Sequence, residues 1–204
     1  MCPFTNYFLT SNHPGISINN EALVVEIHND ADSNLYAAAG WLTANGTVNF
    51  NSTQLNTSFN NGSNPQIAIN DNNVLVEVHQ GPFSLWCHVG YVAISNNPTI
   101  SWGNGNDYDD NSNSAFPSVA INNSNVVVET HQGGGNVWHY VGVINESNQT
   151  INFGESVNFT SGSNPSIAIN DNNIAVIVYA DDGSLNYAVG NINVPATNIS
   201  FGNS

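Results

Sequence analysis

Three segments of the sequence place a glutamate and a histidine two residues apart. These pairs are Glu26 with His28, Glu77 with His79, and Glu129 with His131. Residues two apart in an extended strand project from the same face, roughly 7 Å from each other along the strand. A carboxylate and an imidazole in this arrangement can bind each other, bind a polar ligand, or coordinate a metal ion.

Amide and aromatic side chains accompany each pair. They are Tyr36 with the first pair, Gln80, Trp86 and His88 with the second, and Gln132, Trp138 and Tyr140 with the third. A hairpin of regular register would bring Trp86 close to His79 and Trp138 close to His131. An aromatic face beside carboxylate, imidazole and amide groups suits a sugar, which stacks through its C–H face and hydrogen-bonds through its hydroxyls.

These thirteen side chains are the predicted ligand-binding residues, and the second and third sets are more complete than the first. The structural alternative is that Glu and His satisfy each other between packed strands while Trp fills the core. A fourth segment has Ile177 and Tyr179 in place of the Glu and His. This loss favours a ligand role, because a contact that the fold requires would be expected in every segment. The sequence leaves both interpretations open.

Nucleophilic catalysis has weak support. Cys87 and His88 are neighbours in a predicted strand, so their side chains point to opposite faces and cannot form a local dyad. The sequence contains no Gly-x-Ser-x-Gly motif. The glutamates recur as a symmetric set, which suits a scaffold better than the acid and base of a glycosidase. We therefore predict that the protein is not an enzyme.

The charge composition excludes several classes of partner. The 204 residues include 15 Asp and Glu but no Lys or Arg, so the formal net charge is −15 at pH 7. Nucleic acids and anionic membranes are bound through Lys and Arg, and phosphate cradles of the P-loop type need a Lys. We expect no nucleic-acid partner and no membrane insertion. A neutral glycan is the predicted partner.

The same composition gives a hint about location. Without Lys or Arg the chain offers no site for a trypsin-like protease and no side-chain amine for ubiquitin. This suits an extracellular, toxin-associated or host-delivered protein. The N-terminal sequence MCPFTNYFLT lacks the basic and apolar regions of a Sec signal, and no run of 18 apolar residues is present. Cys2 and Cys87 are too few for a disulfide scaffold.

A repeat of about 50 residues organises the whole chain. Its anchors are Pro14, Pro65, Pro117 and Pro165, and each precedes an alternating strand, as in QIAIN and SIAIN. An Asn-rich turn, a second strand such as VLVEVHQ, a third strand and a TINF-type segment complete each repeat. Four short strands without a helical period are typical of one β-propeller blade. We therefore predict an all-β, four-bladed propeller that forms a single domain over residues 1–204.

The two ends of the chain complement each other. The last repeat ends at NISFG and lacks an outer segment, whereas FTNYFLTSNHP precedes the first anchor at Pro14. We expect this N-terminal strand to complete the last blade and close the ring, which would remove exposed sheet edges. The alternatives are an open solenoid, or a half-ring that a second chain completes to eight blades.

The blade pattern resembles those of known propellers. Pro-x-Ile/Val-Ala-Ile-Asn, Val-Val-Glu-Val-His and Leu-Trp-x-x-Val-Gly are similar to repeats of bacterial and fungal β-propellers, including lectin-like ones. The number of blades resembles the hemopexin-type architecture. That resemblance implies an axial Ca²⁺ or other ion on first-strand carbonyls as an alternative, although no cofactor and no metal-ligating residue is predicted. The disulfide that usually ties hemopexin-like blades has no counterpart here.

Two further acidic features have simpler interpretations. The turn YADDGSLNY resembles the Asp-box turn of sialidases, but those enzymes clamp a carboxylate with arginines and this chain has none. Asp107, Asp109 and Asp110 form an acidic loop that we interpret as a solvated turn, because a Ca²⁺ loop needs more regular oxygen spacing. The sequence therefore predicts a non-catalytic, lectin-like propeller. The alternative function is a structural, assembly or surface-coat protein that forms oligomers.

Overall fold

The computed structural model of the protein describes residues 11–202. Four antiparallel sheets are arranged as a four-bladed β-propeller, which confirms the predicted fold class. In the described part of the chain, no helix has the length and hydropathy needed to cross a bilayer.

Each repeat forms one blade, whose strands run from the inner to the outer edge in chain order. Blade one contains β1 (Asn12–Ile18), β2 (Leu23–Asn29), β3 (Asn34–Leu42), β4 (Val48–Phe50) and β5 (Asn60–Asn61), with a 3₁₀ turn at Gln54–Asn56. Blade two contains β6 (Ser63–Ile69), β7 (Val74–Gln80), β8 (Leu85–Ala93), β9 (Thr99–Trp102) and β10 (Asn106–Asp109). Blade three contains β11 (Ser114–Ile121), β12 (Val126–Gly133), β13 (Asn136–Asn145), β14 (Thr150–Phe153) and β15 (Val157–Ser161). Blade four contains β16 (Ser163–Ile169), β17 (Ile174–Asp181), β18 (Ser184–Asn193) and β19 (Asn198–Phe201).

Apolar side chains join each blade to the next. We call the face of a blade that looks toward the following blade its trailing face, and the opposite face its leading face. Leu23, Val25 and Ile27 on the trailing face of blade one pack against Ile67, Ile69 and Leu75 on the leading face of blade two. Two equivalent clusters join blades two and three and blades three and four. In blades two and three, the alternation predicted for the second strands therefore separates two buried faces, as in a sheet covered on both sides.

Asparagine side chains add a second link between blades at the turn after each inner strand. The Oδ1 atom of Asn70 accepts hydrogen bonds from the backbone of Asn72 and Val74 within its own turn. Its Nδ2 donates across to the carbonyl oxygen of Asn122 at 3.1 Å and to Oδ1 of Asn125 at 3.0 Å in blade three. Asn19 and Asn122 repeat this arrangement toward blades two and four. These contacts satisfy buried polar groups that would otherwise destabilise the fold.

The two end blades differ from the inner ones in exposure. Ile16 on β1 is 70% exposed, whereas its counterpart Ile67 in blade two is 5% exposed. The trailing face of blade four is also exposed, including Leu185 and Tyr187. The strand that we expected to close the ring lies in residues 4–10, which are outside the described residues.

Candidate functional site

Two of the predicted Glu–His pairs lie inside interfaces between described blades, Glu77 and His79 against blade one and Glu129 and His131 against blade two. Glu77 is fully buried, and its two carboxylate oxygens each lie 2.8 Å from an imidazole Nδ1, one of His79 and one of His88. The three ligand atoms are within 4.8 Å of one another, a spacing that one metal ion could bridge. Each of them already has a hydrogen-bond partner within the group. The cluster is therefore complete without a ligand.

Tight packing holds this cluster in place. A Cβ atom on Gly62 would lie 2.2 Å from Cδ2 of His79, so only glycine fits beside that ring. The rings of His79 and His88 stack with their centroids 5.8 Å apart, and Nε2 of His88 lies 3.2 Å from the side-chain amide of Asn60. Burial would raise the pKa of Glu77, but the two imidazoles outweigh burial and lower it. Glu77 is therefore an ionised carboxylate held between two donors.

Blade three has a different cluster around His131. The ring bonds Glu129 through Nδ1 at 3.1 Å and Asp109 through Nε2 at 3.0 Å. Burial alone would lower the pKa of His131, but the two carboxylates raise it to about 9, so the ring is charged at neutral pH. Burial raises the pKa of Glu129 despite this partner. The interpretation of Asp109 as a solvated turn residue was wrong, because it is buried and binds both His131 and Ser114.

Blade one carries the same Glu–His pair on its leading face. Nδ1 of His28 lies 3.0 Å from Oε2 of Glu26, and the ring stacks on Tyr36 with centroids 5.3 Å apart. Both members of the pair are buried, and burial raises the pKa of Glu26. In blade four, Ile177 and Tyr179 fill the equivalent positions against blade three. The same site between blades thus accepts either a polar cluster or an apolar one.

The predicted tryptophans lie beside these clusters, and each is half-buried. The hairpin registers pair Trp86 with His79 and Trp138 with His131, as predicted. Nε1 of Trp86 donates to Oγ of Ser84 at 2.8 Å, and Nε1 of Trp138 donates to the carbonyl oxygen of Gly133 at 3.0 Å. The indole nitrogens are therefore used by their own hairpins. Tyr140 is buried and stacks on His131, which places it in the cluster of blade three.

One buried histidine was not singled out from the sequence. His139 in β13 faces blade four, where its ring meets Phe201 edge-on with centroids 5.7 Å apart. Neither ring nitrogen has a hydrogen-bond partner among the described residues. Burial, and secondarily the charge on His131, lowers the pKa of His139 to about 4. This ring is therefore neutral at physiological pH. The only indication of its burial in the sequence was its alternation with Val137 and Val141, which places it on the same face of the strand as these two valines.

Residues at the start of the inner strands of all four blades line an open cavity of about 320 Å³. We call it the axial mouth. It is lined by His13, Asn64, Gln66, Phe116, Pro117, Ser118, Asn164, Pro165 and Ser166. These are amide, hydroxyl, imidazole and ring side chains, and none of the nine is a carboxylate although the chain has 15. The mouth is therefore a polar but formally uncharged cavity in a strongly acidic protein.

A repeated backbone feature builds the axial mouth. Each inner strand carries a bulge next to its anchor proline, and the residue before that proline has a positive φ. The four residues are His13, Asn64, Phe116 and Asn164, with φ between 47° and 53°. Asn tolerates this left-handed conformation, whereas a bulky aromatic residue adopts it rarely. Phe116 is 44% exposed and lines the mouth, so this strained position presents an aromatic ring to the cavity.

Two of the predicted residues, Gln80 and Gln132, form hydrogen bonds with residues that line the mouth. The side-chain amide of Asn64 donates to Oε1 of Gln80 at 3.0 Å. The backbone N–H of Asn164 donates to Oε1 of Gln132 at 3.3 Å, which links blade three to blade four. In blade one, His13 and Asn29 make the corresponding contact at 3.3 Å. Residues of the second strands thus hold the lining residues of the cavity in position. These lining residues were not predicted from the sequence.

A second cavity of about 260 Å³ lies between blades one and two. The rings of Phe59 and Trp102 stack there with centroids 4.7 Å apart. Gln54 crosses between the blades and donates to the carbonyl oxygen of Ile100 at 3.0 Å. Trp102 and Phe59 also pack against the core cluster of these blades, so this cavity is part of the blade packing.

No protein-family model matches the sequence, and no curated protein matches it either. Among solved structures, a protein from Lactobacillus plantarum is similar with a TM-score of 0.64 at 12% identity, over 94% of this chain and 55% of that one. A sialidase from Trypanosoma rangeli has a TM-score of 0.56 at 16% identity, over 94% of this chain and 38% of that one. A Hadza microbial sialidase has a TM-score of 0.55 at 8% identity, over 90% and 45%. This chain thus spans about half or less of each of these three proteins, and the likeness is one of fold.

Proposed function

We propose that the protein binds an uncharged glycan in the axial mouth without converting it chemically. The observation that carries this proposal is the lining: amide and hydroxyl groups surround an exposed aromatic ring, Phe116, in a cavity free of carboxylates. Sugars are recognised by this combination of stacking and hydrogen bonding. The volume of about 320 Å³ lies at the lower end of the range of small-ligand sites.

The charge distribution supports a neutral ligand. A chain with a net charge of −15 and no Lys or Arg disfavours an anionic sugar such as one that carries a carboxylate. A cationic ligand would be expected to meet a carboxylate in its site, and the mouth has none. The uncharged, hydroxyl-rich ligand is the class that remains.

The same lining favours binding over catalysis. Glycoside hydrolysis ordinarily uses two carboxyl groups on either side of the scissile bond. In the described residues, the carboxylates of Glu77 and Glu129 are buried against histidines in the blade interfaces. A glycan in the mouth would therefore meet hydrogen-bonding groups but no acid and base.

The residues predicted from the sequence take a supporting role in this proposal. Gln80 and Gln132 hold Asn64 and Asn164 in position through hydrogen bonds. Trp86 and Trp138, each half-buried beside the same strand ends, offer secondary contacts for a longer glycan. The Glu and His residues stabilise the blades that carry the mouth.

A glycan array of neutral and acidic structures tests the proposal. We expect wild-type protein to bind at least one neutral glycan, and Phe116→Ala to lose about tenfold or more in affinity, equivalent to about 1.4 kcal/mol. Phe83→Ala is the matched control, because Phe83 is a 76% exposed phenylalanine in the β7–β8 turn of blade two and does not line the mouth. Absence of binding to every glycan, or equal loss in both variants, would refute the proposal.

A further inference from the structure

Three interfaces of one design hold the blades together. In each, the trailing face of one blade covers the leading face of the next, and the contacting side chains are nearly all fully buried. Four blades in a row leave one trailing face and one leading face at the ends. Both end faces have the composition of an interface.

The trailing face of blade four is apolar and exposed. It is formed by Ile174, Val176, Val178, Leu185, Tyr187 and Val189, whose exposed fractions run from 36% to 82%. Their counterparts in blade two are Val74, Val76, Val78, Leu85, Cys87 and Val89, which are at most 2% exposed. A sheet face in contact with water normally carries polar residues at these positions. Blade four instead keeps the apolar pattern of a covered face.

The leading face of blade one shows the matching feature on its inner strand. Ile16 and Ile18 pair with β2 as Ile67 and Ile69 pair with β7. The first two are 70% and 53% exposed, whereas the other two are 5% and 7% exposed. Val24, on the same side of the neighbouring strand, is already buried. The surface open to a partner on this face is therefore centred on Ile16 and Ile18.

The asparagine links also end at blade four. Asn170 makes the same contacts within its turn as Asn70, through Oδ1 to the backbone of Asn172 and Ile174. Asn70 uses its Nδ2 to bond the next blade, but in the described part of the chain Asn170 has no next blade to bond. The carbonyl oxygen of Asn19 on blade one is the equivalent of the Asn122 oxygen that Asn70 contacts.

We propose that blade four of one copy docks on blade one of a second copy, head to tail, through the exposed inner-strand part of the blade-one leading face, Ile16 and Ile18. A second copy is inferred as the partner because the trailing faces of blades one, two and three are each covered by the leading face of another repeat of this chain. The trailing face of blade four has the same pattern but is exposed. Ile16 and Ile18 of the second copy fill the position that Ile67 and Ile69 fill on blade one. Contacts of this heterologous type build closed rings when the rotation closes.

One substitution in the repeat makes this contact weaker than the internal ones. The side-chain acceptors for the asparagine links are Asn73, Asn125 and Asn173 in blades two to four, each at positive φ. Blade one has Ala22 at the same position, also at positive φ. Ala22→Asn should restore the missing acceptor, so we expect it to lower the dissociation constant of the pair severalfold.

Charge also opposes the association. Two copies that each carry −15 repel each other, and salt screens this repulsion. We therefore expect the association to strengthen as the salt concentration rises. An interface dominated by ion pairs would respond in the opposite direction.

Light scattering after size-exclusion chromatography, over a range of protein concentrations, tests the contact. We expect the mass to rise with concentration from 21.7 kDa to multiples of it. We call Val176→Thr with Tyr187→Thr, on the trailing face of blade four, the tail variant. We call Ile16→Thr with Ile18→Thr, on the leading face of blade one, the head variant. Each variant should remain monomeric with an unchanged melting temperature. All four residues are exposed in the single copy, and Thr suits a strand. Phe83→Thr is the control and should associate like wild type.

Mixing the two variants gives the sharpest result. The head variant keeps the trailing face of blade four intact, and the tail variant keeps the leading face of blade one intact. These two faces can bind each other, so the 1:1 mixture should form dimers although neither variant does so alone. A wild-type protein that stays at 21.7 kDa at every concentration, or a mixture that stays monomeric although wild type associates, would overturn the proposal. Association of one variant on its own would show a symmetric contact and would also overturn it.

Discussion

The side-chain amide of Asn64 donates a hydrogen bond to Oε1 of Gln80 over 3.0 Å. Gln80 ends the second strand of blade two, and Asn64 lines the axial mouth. Gln80 was predicted from the sequence as a ligand-binding residue, whereas the axial mouth was not predicted. This hydrogen bond connects the two. The mouth is thus held by the same repeat that builds the core.

Phe116 offers a way to separate ligand binding from folding. At φ 53° an aromatic side chain is strained, whereas Asn, which occupies the same position in blades two and four, adopts this conformation readily. We expect Phe116→Asn to raise the free energy of unfolding by about 1 kcal/mol while weakening glycan binding at least tenfold. Chemical denaturation and a binding titration measure the two effects. A destabilised variant with unchanged binding would show that Phe116 serves the fold.

Asn70 should contribute strongly to the contact between blades two and three. Asn70→Ala removes two hydrogen bonds within its turn and two across to blade three. Asn170→Ala is the matched control, because it removes the same two bonds within the turn. We expect Asn70→Ala to lower the free energy of unfolding by about 1–3 kcal/mol more than the control does. Equal losses in urea denaturation would show that the contacts across blades add nothing.

His139 should make the fold sensitive to acid. Its pKa is about 4 in the folded protein and 6.5 in an unfolded chain, so the unfolded state binds the proton first as the pH falls. Stability should therefore decline from about pH 6.5 downward, by on the order of 3 kcal/mol once the pH is below 4. The lowered pKa of Glu77 acts in the same direction, with stability lost as the pH falls through its folded value. Melting temperatures measured against pH for wild type and His139→Leu test this, since the variant should lose much of the decline above pH 4.5.

His131 should make the fold sensitive to alkali. Its pKa of about 9 in the folded protein lies above the unfolded value of 6.5, so its stabilisation is complete below pH 6.5 and is lost as the pH rises through 9. The loss should be on the order of 3 kcal/mol. An NMR titration should find an imidazole that titrates near pH 9, and His131→Gln should be less stable at neutral pH without the alkaline decline. A His131 resonance that titrates near pH 6.5 would contradict the buried ion pair.

Local pattern was enough to predict the blades. The proline period, the alternating strands and the Asn-rich turns each depend on residues close in sequence, and the hairpin pairing of His79 with Trp86 followed from them. Alternation also placed Glu77 and His79 on one face correctly. It could not tell whether another blade covers that face, because burial depends on packing between repeats about 50 residues apart.

The remaining features depend on contacts between distant segments. Asp109 looked like part of a solvated acidic loop, and only the fold brings it within 3.0 Å of His131. The mouth had a weak signal in the Asn-Pro steps at Asn64 and Asn164, because such steps often mark turns. Phe116 carried no signal of its own, since the bulge that exposes it belongs to the pairing of β11 with β12.

Isothermal titration calorimetry with the neutral glycan that binds most strongly distinguishes the axial mouth from the hairpins of blades two and three as the binding site. The axial mouth predicts one glycan per chain for wild type and for the double variant Trp86→Ala with Trp138→Ala, and at least tenfold weaker binding for Phe116→Ala. Two glycans per chain, with both sites lost in the tryptophan double variant and retained in Phe116→Ala, would contradict binding in the mouth and place it on blades two and three.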